Sequence, residues 1–350
     1  MTHHCLQSSQ LSKRYPRGER FLKKAFSQFS VLDTITWFGS RGVKLKTEPD
    51  NRMFPISDDS QTIVDCLQQE VEKLGITVLT RYGVRSIKTR KGGFELEVDT
   101  QPTLFYDKVV VCTGGSPKLS GFDWLTQLGH RIQPPVPSLF TFNMPNEPIR
   151  KLMGLSVENA QVKIQGTKLQ YAGPLLVTHW GMSGPAVLKL SAWGARHLNE
   201  LNYQFGIQVN WTGGMKEQDI RAVMDEHLLI NRKAKVLNRR LLGLPTRLWE
   251  FLIRKIEIRE NITWGEMGNK GINRLVNILI NDTYSVKGKT TFKEEFVTCG
   301  GVDLTEVDPK TMESKLLPGL YFAGEVLDID GITGGFNFQA AWTTGYVAGK

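Results

Sequence analysis

The residues best placed to do chemistry form a short series near the carboxyl end of the chain. Residues 320–323 are apolar and predict a buried strand, and Gly324 and Glu325 follow it directly. Such a strand delivers the chain to the carboxyl edge of a sheet, where open α/β folds bind ligands. Glycine there lets the backbone approach a flat ring or a pyrophosphate without a clash from Cβ. The series continues with Asp328, Gly334, Gly335, Phe336, Asn337, Gln339 and Ala340.

The same series predicts a helix that begins close to this corner. Asn337 is a candidate cap for the helix, whose unpaired N–H groups and positive end would then face a ligand. A flavin suits such a site, because its reduction places negative charge on the N1/C2=O edge of the ring. The alternative is an ordinary strand–turn–helix corner, in which Asp328 and Asp330 are solvated loop carboxylates.

A second corner has a similar form. Residues 109–112 are a continuous apolar run, typical of a strand buried on both faces, and Thr113, Gly114 and Gly115 end it. The backbone of these three residues would run beside a dinucleotide, and the alternative is a tight turn. Both corners are expected at one crevice, so together they favour a ligand site more strongly than either does alone.

The rest of the sequence predicts the helices, strands and domains that position these two corners. A helix is predicted after residues 57–60, followed by strands at 76–80, 84–88 and 94–98 with a Gly92-Gly93 turn between the last two. The proline cluster at 133–137 predicts a boundary, because clustered prolines forbid regular structure. The simplest architecture is a discontinuous α/β domain of residues 1–134 and 302–350. Its α+β insertion, 135–301, has barrel-like strands at 135–211 and 282–301 and helices at 214–281.

Composition limits the environment and the chemistry. The 350 residues carry a net charge of +9, which favours an anionic partner. No apolar run approaches the roughly 20 residues of a membrane span, and no secretory signal opens the chain. We therefore expect a cytoplasmic protein without a membrane partner. The four scattered cysteines offer neither a redox pair nor a metal-ligand spacing, and no nucleophile set emerges, so the sequence predicts no metal.

Several longer blocks resemble the BaiN/HI0933-like (YhiN-type) family of NAD(P)/FAD-dependent oxidoreductases. The resemblance covers essentially the whole chain, and its most specific blocks are residues 309–315 and 321–328. Further matching blocks lie at residues 19–22, 26–29, 31–37, 52–55, 113–115, 178–186 and 300–302.

This resemblance implies an FAD fold of the two-dinucleotide-binding, glutathione-reductase-like type. NAD(P)H would reduce FAD, which would pass hydride to an unsaturated acceptor. FAD would be held by Gly114, Gly115, Gly324, Glu325, Asp328 and residues 334–340, with the Val84 backbone near the adenine. No catalytic residue is assigned. His179 is a candidate hydrogen-bond donor to substrate or flavin, and the alternative is a structural helix cap beside a satisfied histidine.

The chain departs from the family in one respect. No G-x-G-x-x-G pattern follows a strand, and the nearest spacing, at Gly265, Gly268 and Gly271, lies among helical residues. Flavoproteins of this type open with a strand, that glycine turn and a helix that binds the pyrophosphate. We therefore expect an N-terminally truncated fold.

Basic residues suggest a different class of function. Arg239, Arg240, Arg254 and Lys255 belong to a basic band across the helical residues 232–259. This band could contact an RNA backbone, or it could be a solvated helical face opposite the core. Members of the family resembling this chain are linked either to reduction of uridine in ribosomal RNA or to reduction of unsaturated steroid acids. An RNA-associated protein, including an rRNA uridine reductase, and a truncated fragment that does not retain FAD therefore stay as alternatives.

The missing glycine turn generates a prediction. We expect the purified 350-residue chain to retain FAD weakly or not at all, because its main phosphate cradle is lacking. The ratio of flavin absorbance to protein absorbance measures this retention, and stoichiometric bound FAD would contradict the expectation.

Overall fold

Two stretches that are far apart in sequence fold together. In the computed structural model, which describes residues 1–99, 101–290 and 297–350, Met1–Pro137 and Val297–Lys350 form one unit, here named the outer unit. Ser138–Phe296 form the second, named the inserted unit. The sequence boundary assigned residues 297–301 to the insertion. The structure places the strand Val297–Val302 in the outer unit, because it pairs with the strand Ile132–Ser138.

The strands and helices are as follows. The strands are β1 Thr2–His3, β2 Leu45–Thr47, β3 Arg52–Pro55, β4 Val84–Arg90, β5 Gly93–Val98, β6 Leu104–Tyr106, β7 Val109–Val111, β8 Ile132–Ser138, β9 Thr141–Asn143, β10 Ser156–Ile164, β11 Gln170–Val177, β12 Gly181–Ser183, β13 Gln204–Asn210, β14 Asp282–Lys287, β15 Lys289–Thr290, β16 Val297–Val302 and β17 Leu320–Phe322. The α-helices are α1 Ser8–Leu11, α2 Glu19–Ala25, α3 Val31–Gly39, α4 Gln61–Lys73, α5 Asp123–Gln127, α6 Pro185–Glu200, α7 Glu217–Asn231, α8 Thr246–Lys255, α9 Gly268–Ile280 and α10 Phe336–Ala348.

The strand β7 is less buried than its sequence predicts. It pairs in parallel with β17, in the register Leu320↔Val109 and Phe322↔Val111. These two strands form a sheet of their own among the described residues. Val111 is buried, but Val110 is 44% exposed, so the expectation of burial on both faces is wrong. A continuous apolar run signals burial only where neighbours cover both of its faces.

The β-rich region before β7 is partly as predicted. β4, β5 and β6 form an antiparallel meander, and the turn between β4 and β5 uses Gly92 at φ 88°. The strand predicted at residues 76–80 is absent. Ile76 and Val78 are more than half exposed there. Their β propensity is not realised because no neighbouring strand in the described chain pairs with them.

The proline cluster lies inside a strand rather than in an irregular crossover. β8 runs through residues 133–137 and, among the strands that the structure describes, pairs only with β16. A two-stranded ribbon tolerates proline because each strand needs donors on only one edge. The backbones of β8 and β16 approach closely at Gly300, where a Cβ would lie 2.6 Å from the Pro134 carbonyl oxygen.

A buried polar network ties α10 to the start of the chain. The Gln339 side chain is fully buried and accepts a hydrogen bond from the Thr2 hydroxyl at 2.6 Å. Its Nε2 donates to the hydroxyls of Thr34 at 2.9 Å and Thr343 at 3.1 Å. Thr343 in turn donates to the Phe29 carbonyl at 2.9 Å. One side chain of α10 therefore links β1 with α3.

The inserted unit combines one sheet with helices. Its seven strands follow the order β14-β13-β10-β11-β12-β9-β15. The two edge strands, β14 and β15, are separated only by Gly288, so the sheet curls until its edges meet. α6 packs against β10 and β11, while α7, α8 and α9 bury Trp249 and Trp264 beside the sheet. Among the described helices, none combines the length and the apolar character that a membrane crossing requires.

The network around Gln339 generates a stability prediction. Gln339→Ala removes the partner of three buried hydroxyls, so the free energy of unfolding should fall by about 1–3 kcal/mol. Urea unfolding followed by circular dichroism measures the change. The matched control is Gln127→Ala in the exposed last position of α5, expected within about 0.5 kcal/mol of the parent. Equal effects of the two substitutions would contradict the role given to the network.

Candidate cofactor site

The two glycine corners predicted from sequence lie side by side in the outer unit. β7 and β17 run in parallel, and the Ala323 amide extends their pairing by donating to the Val111 carbonyl at 3.0 Å. The residues that follow each strand, 112–115 and 324–325, therefore leave the sheet at the same edge.

Glu325 is the polar group at the centre of this edge. Its Oε1 accepts a hydrogen bond from the Thr298 amide at 2.8 Å, and its carboxylate also accepts from the Gly115 backbone. A Cβ at Gly115 would lie 2.8 Å from the Thr298 hydroxyl oxygen, so this close approach requires glycine. Burial raises the pKa of the Glu325 carboxyl, and the charge of Asp330 adds to that rise while the two N–H donors oppose it.

The acidic loop after Glu325 is not solvated. Asp330 is fully buried and forms a two-pronged ion pair with the Arg17 guanidinium. Asp328 is 8% exposed, and its amide donates to the Val302 carbonyl at 3.0 Å. The interpretation of Asp328 and Asp330 as solvated carboxylates is therefore wrong. An arginine more than 300 residues away in sequence supplies the compensating charge for Asp330.

Asn337 does not cap α10, contrary to the sequence prediction. The N-cap is Gly335, at φ 88°, and no side chain accepts a bond at this helix start. The Asn337 side chain instead binds both sides of Gly331, accepting from its amide at 2.7 Å and donating to its carbonyl at 3.1 Å. The physical reason is that Asn337 lies inside the first turn, where its side chain faces back along the loop. Without a side-chain cap, the first amides of α10 stay available to a ligand.

Other residues fix the start of α10 in place. A Cβ at Gly335 would lie 2.5 Å from the Thr2 carbonyl oxygen, so the position accepts only glycine. The Phe336 ring is buried between His3, which stacks on it at 4.5 Å, and Tyr15. The Tyr15 hydroxyl donates to the Phe336 carbonyl at 2.6 Å. The helix terminus is thus held by packing on both sides.

A cavity of about 250 Å³ lies beside these groups. Four residues that the sequence analysis selected line it, namely Gly324, Glu325, Asn337 and Ala340. Phe338, which lies within the predicted range 334–340, also lines the cavity. Val297, Ile329 and Ala341, which were not predicted from the sequence, complete the lining. Helical spacing could have found Ala341, because it follows Asn337 by four residues on the same face of α10.

Several predicted residues lie outside this lining. Gly115 contacts the site through Glu325 and Thr298, and Gly114, at φ 76°, forms the turn before it. Thr113 is exposed next to them. Gln339 is engaged in the buried network, while Gly334, Gly335 and Phe336 build the start of α10 and Asp328 is buried in the preceding loop. Val84 is 49% exposed in the meander and pairs with Val98.

The remaining predicted residues, His179 and the four basic residues, lie in the inserted unit. His179 is exposed, and the centre of its ring lies 4.0 Å from the centre of the Trp180 ring. Its backbone carbonyl accepts a hydrogen bond from Arg150 Nε at 2.7 Å. Of the residues predicted to contact RNA, Arg254 and Lys255 line one groove, while Arg239 and Arg240 do not line it. Within the residues that the structure describes, no group of histidine, cysteine and acidic side chains could hold a metal ion.

Comparisons with known proteins agree with this architecture. A family model described as the HI0933-like protein Rossmann domain matches residues 1–350. The chain is 27% identical over 339 residues to a 3-dehydro-bile acid delta(4,6)-reductase of Clostridium scindens, covering 94% of this chain and 82% of the relative. It is 29% identical over 344 residues to the ribosomal RNA dihydrouridine synthase of Escherichia coli, covering 95% of this chain and 82% of that relative. It is also 29% identical over 344 residues to the ribosomal RNA dihydrouridine synthase of Haemophilus influenzae, covering 94% of this chain and 82% of that relative.

The family model spans the whole chain, and the α/β elements of the outer unit agree with a Rossmann-type domain. The resemblance inferred from the sequence blocks is therefore confirmed. The chain belongs to the HI0933-like family and is a flavin-dependent oxidoreductase by class.

Proposed function

We propose that this chain is an FAD-dependent reductase, in which FAD carries hydride from NAD(P)H to an unsaturated acceptor. One observation carries the proposal. Two glycine corners, a partly buried carboxylate and an uncapped helix terminus converge beside one cavity in the outer unit. The names of the relatives support a reductase, because both a delta(4,6)-reductase and a dihydrouridine synthase saturate a carbon–carbon double bond.

The residues present fit the flavin half of FAD. Glu325 offers a carboxylate that can accept hydrogen bonds from the hydroxyls of the ribityl chain. The free amides at the start of α10 offer donors and a positive helix end to the pyrimidine edge of the ring. The cavity of about 250 Å³ is somewhat below the roughly 300–1,000 Å³ of whole ligand pockets, which suits part of a dinucleotide.

The wider assignment extends the proposal to the rest of the chain. The outer unit would be the FAD domain of the two-dinucleotide-binding type, with Gly114 and Gly115 beside the dinucleotide and Val84 near the adenine. The inserted unit, with residues close to 135–301, would be the cap that meets the acceptor, and His179 belongs to it. A supply of NAD(P)H favours the cytoplasm as the place of action. Asp328 and Gln339 would then hold the loop and helix around the flavin in place without contacting the flavin.

A second candidate is that the acceptor is uridine in RNA. Clustering of Arg254 and Lys255 with further cations in the inserted unit favours a polyanionic acceptor. The two relatives named as ribosomal RNA dihydrouridine synthases support the same class. A steroid acid, as in the name of the Clostridium relative, is the competing acceptor.

The role of Glu325 predicts an effect on FAD affinity. The affinity for FAD is measured by titrating the purified chain and following flavin fluorescence. The dissociation constant of Glu325→Gln should be at least about tenfold larger than that of the parent, because a charge-assisted hydrogen bond is lost. Glu72→Gln, the same change at an exposed position of α4, is the control and should leave the affinity unchanged. Identical affinities for parent and Glu325→Gln would contradict the proposed site.

The acceptor is tested with saturating FAD and NAD(P)H. We expect mass spectrometry to detect a gain of two hydrogen atoms in one acceptor class, either a uridine-containing RNA or an unsaturated steroid acid. Product from the RNA alone supports the second candidate, and product from the steroid acid alone rejects it. NAD(P)H oxidation without reduction of either acceptor would contradict both.

A further inference from the structure

A groove of about 550 Å³ lies on the inserted unit, between α8 and the 3₁₀ segment Pro148–Leu152. Its lining is Pro148, Lys151, Leu152, Arg247, Glu250, Phe251, Arg254 and Lys255. Four of these eight side chains are cationic and one is acidic, and the ring of Phe251 is half-buried among them. The groove therefore joins positive charge to an aromatic surface.

The amphipathic spacing of α8 sets which side chains face the groove. Leu248, Trp249, Leu252 and Ile253 are fully buried in the core of the inserted unit. The Trp249 indole donates to the Val236 carbonyl at 2.9 Å, which fixes the rotation of the helix. The residues between these buried positions are therefore turned toward solvent at helical spacing.

A buried carboxylate orients one of the cations. Asp282 is fully buried, accepts from the Trp211 indole at 2.9 Å, and also accepts from the Tyr284 hydroxyl and the Lys255 ammonium. The Lys255 ammonium lies 4.1 Å from the centre of the Tyr284 ring. Lys255 is thus anchored from below while its side chain stays one-third exposed.

The other cations are weakly compensated. Arg247 donates to the Lys151 carbonyl at 3.1 Å, which ties the two walls of the groove together without neutralising either charge. Arg254 lies 3.4 Å from Glu260, but both side chains are more than 60% exposed, so this ion pair contributes little. Against four cations stand three carboxylates: Glu250 in the groove, Asp282 behind it and Glu260 beside Arg254. A net positive surface remains.

We propose that this groove binds the phosphates of single-stranded RNA, with Phe251 as a surface for one base. Proteins bind single strands with cations that track the backbone and with aromatic rings on which bases stack. A flat duplex surface would not use the half-buried ring. The proposal rests on the RNA acceptor of the proposed function and adds Lys151, Arg247 and Phe251 to the residues that contact it.

The test is fluorescence anisotropy with a labelled, uridine-containing RNA of about twelve nucleotides. The double variant Lys151→Glu and Arg247→Glu should weaken binding at least about tenfold and reduce the salt slope by about 1.4, the value for two lost phosphate contacts. The control is Lys168→Glu with Lys287→Glu, an equal charge change at exposed positions of the same unit outside the groove. It should shift the affinity by less than about threefold.

Three outcomes would overturn the proposal. They are equal loss of binding in both double variants, no loss in the groove variant, and full displacement of the RNA by inorganic phosphate at concentrations near its own affinity for the protein. The last result would identify a free-phosphate site. Phe251→Leu should weaken RNA binding while leaving phosphate binding unchanged. Equal RNA affinity in the parent and this variant would show that no base stacks on Phe251.

Different results would reject the RNA-binding groove and the RNA acceptor. RNA that binds in the groove without being reduced rejects the RNA acceptor and leaves the groove in place. RNA that the groove variant reduces as well as the parent does, at limiting RNA concentration, rejects the groove and leaves the RNA acceptor in place.

Discussion

The parallel pairing of β7 with β17 is the constraint on which the candidate site depends. It joins segments that are about 200 residues apart and forces residues 112–115 and 324–325 to leave the sheet at one edge. Because Gly115 has no side chain, the Glu325 carboxylate reaches its backbone and the Thr298 amide at once. Every other feature of the site either holds this edge or covers it.

Three further contacts hold the edge, and two of them join distant parts of the chain. Arg17 compensates the buried charge of Asp330, and Gln339 engages the hydroxyl of Thr2. Asn337 pins the loop at Gly331. Together they preorganise the backbone around the cavity, so that its donors and its carboxylate are oriented without help from a ligand. The ion pair with Arg17 explains how the loop between Glu325 and α10 tolerates the fully buried Asp330.

The sequence predicted what local patterns determine. The apolar runs at β7 and β17, the meander and the glycine corners all follow from side-chain periodicity and from the need for glycine at close approaches. It could not predict partners distant in sequence, such as Arg17 for Asp330 or Lys151 for the basic groove, because those pairings exist only after folding. The strand at residues 76–80 and the cap at Asn337 were wrong for the same reason. Each had the local propensity, but the surrounding structure supplied no partner strand in one case and a competing partner, Gly331, in the other.

Hydrogen–deuterium exchange at saturating FAD can show whether the two corners form one flavin site, because it follows the backbone amides of both corners in one experiment. We predict that amides of residues 112–115 and of the first turn of α10 become protected together, while those of α8 in the inserted unit do not change. Protection elsewhere with no change at these two segments, or protection of one corner without the other, would contradict the claim that the two corners form one flavin site.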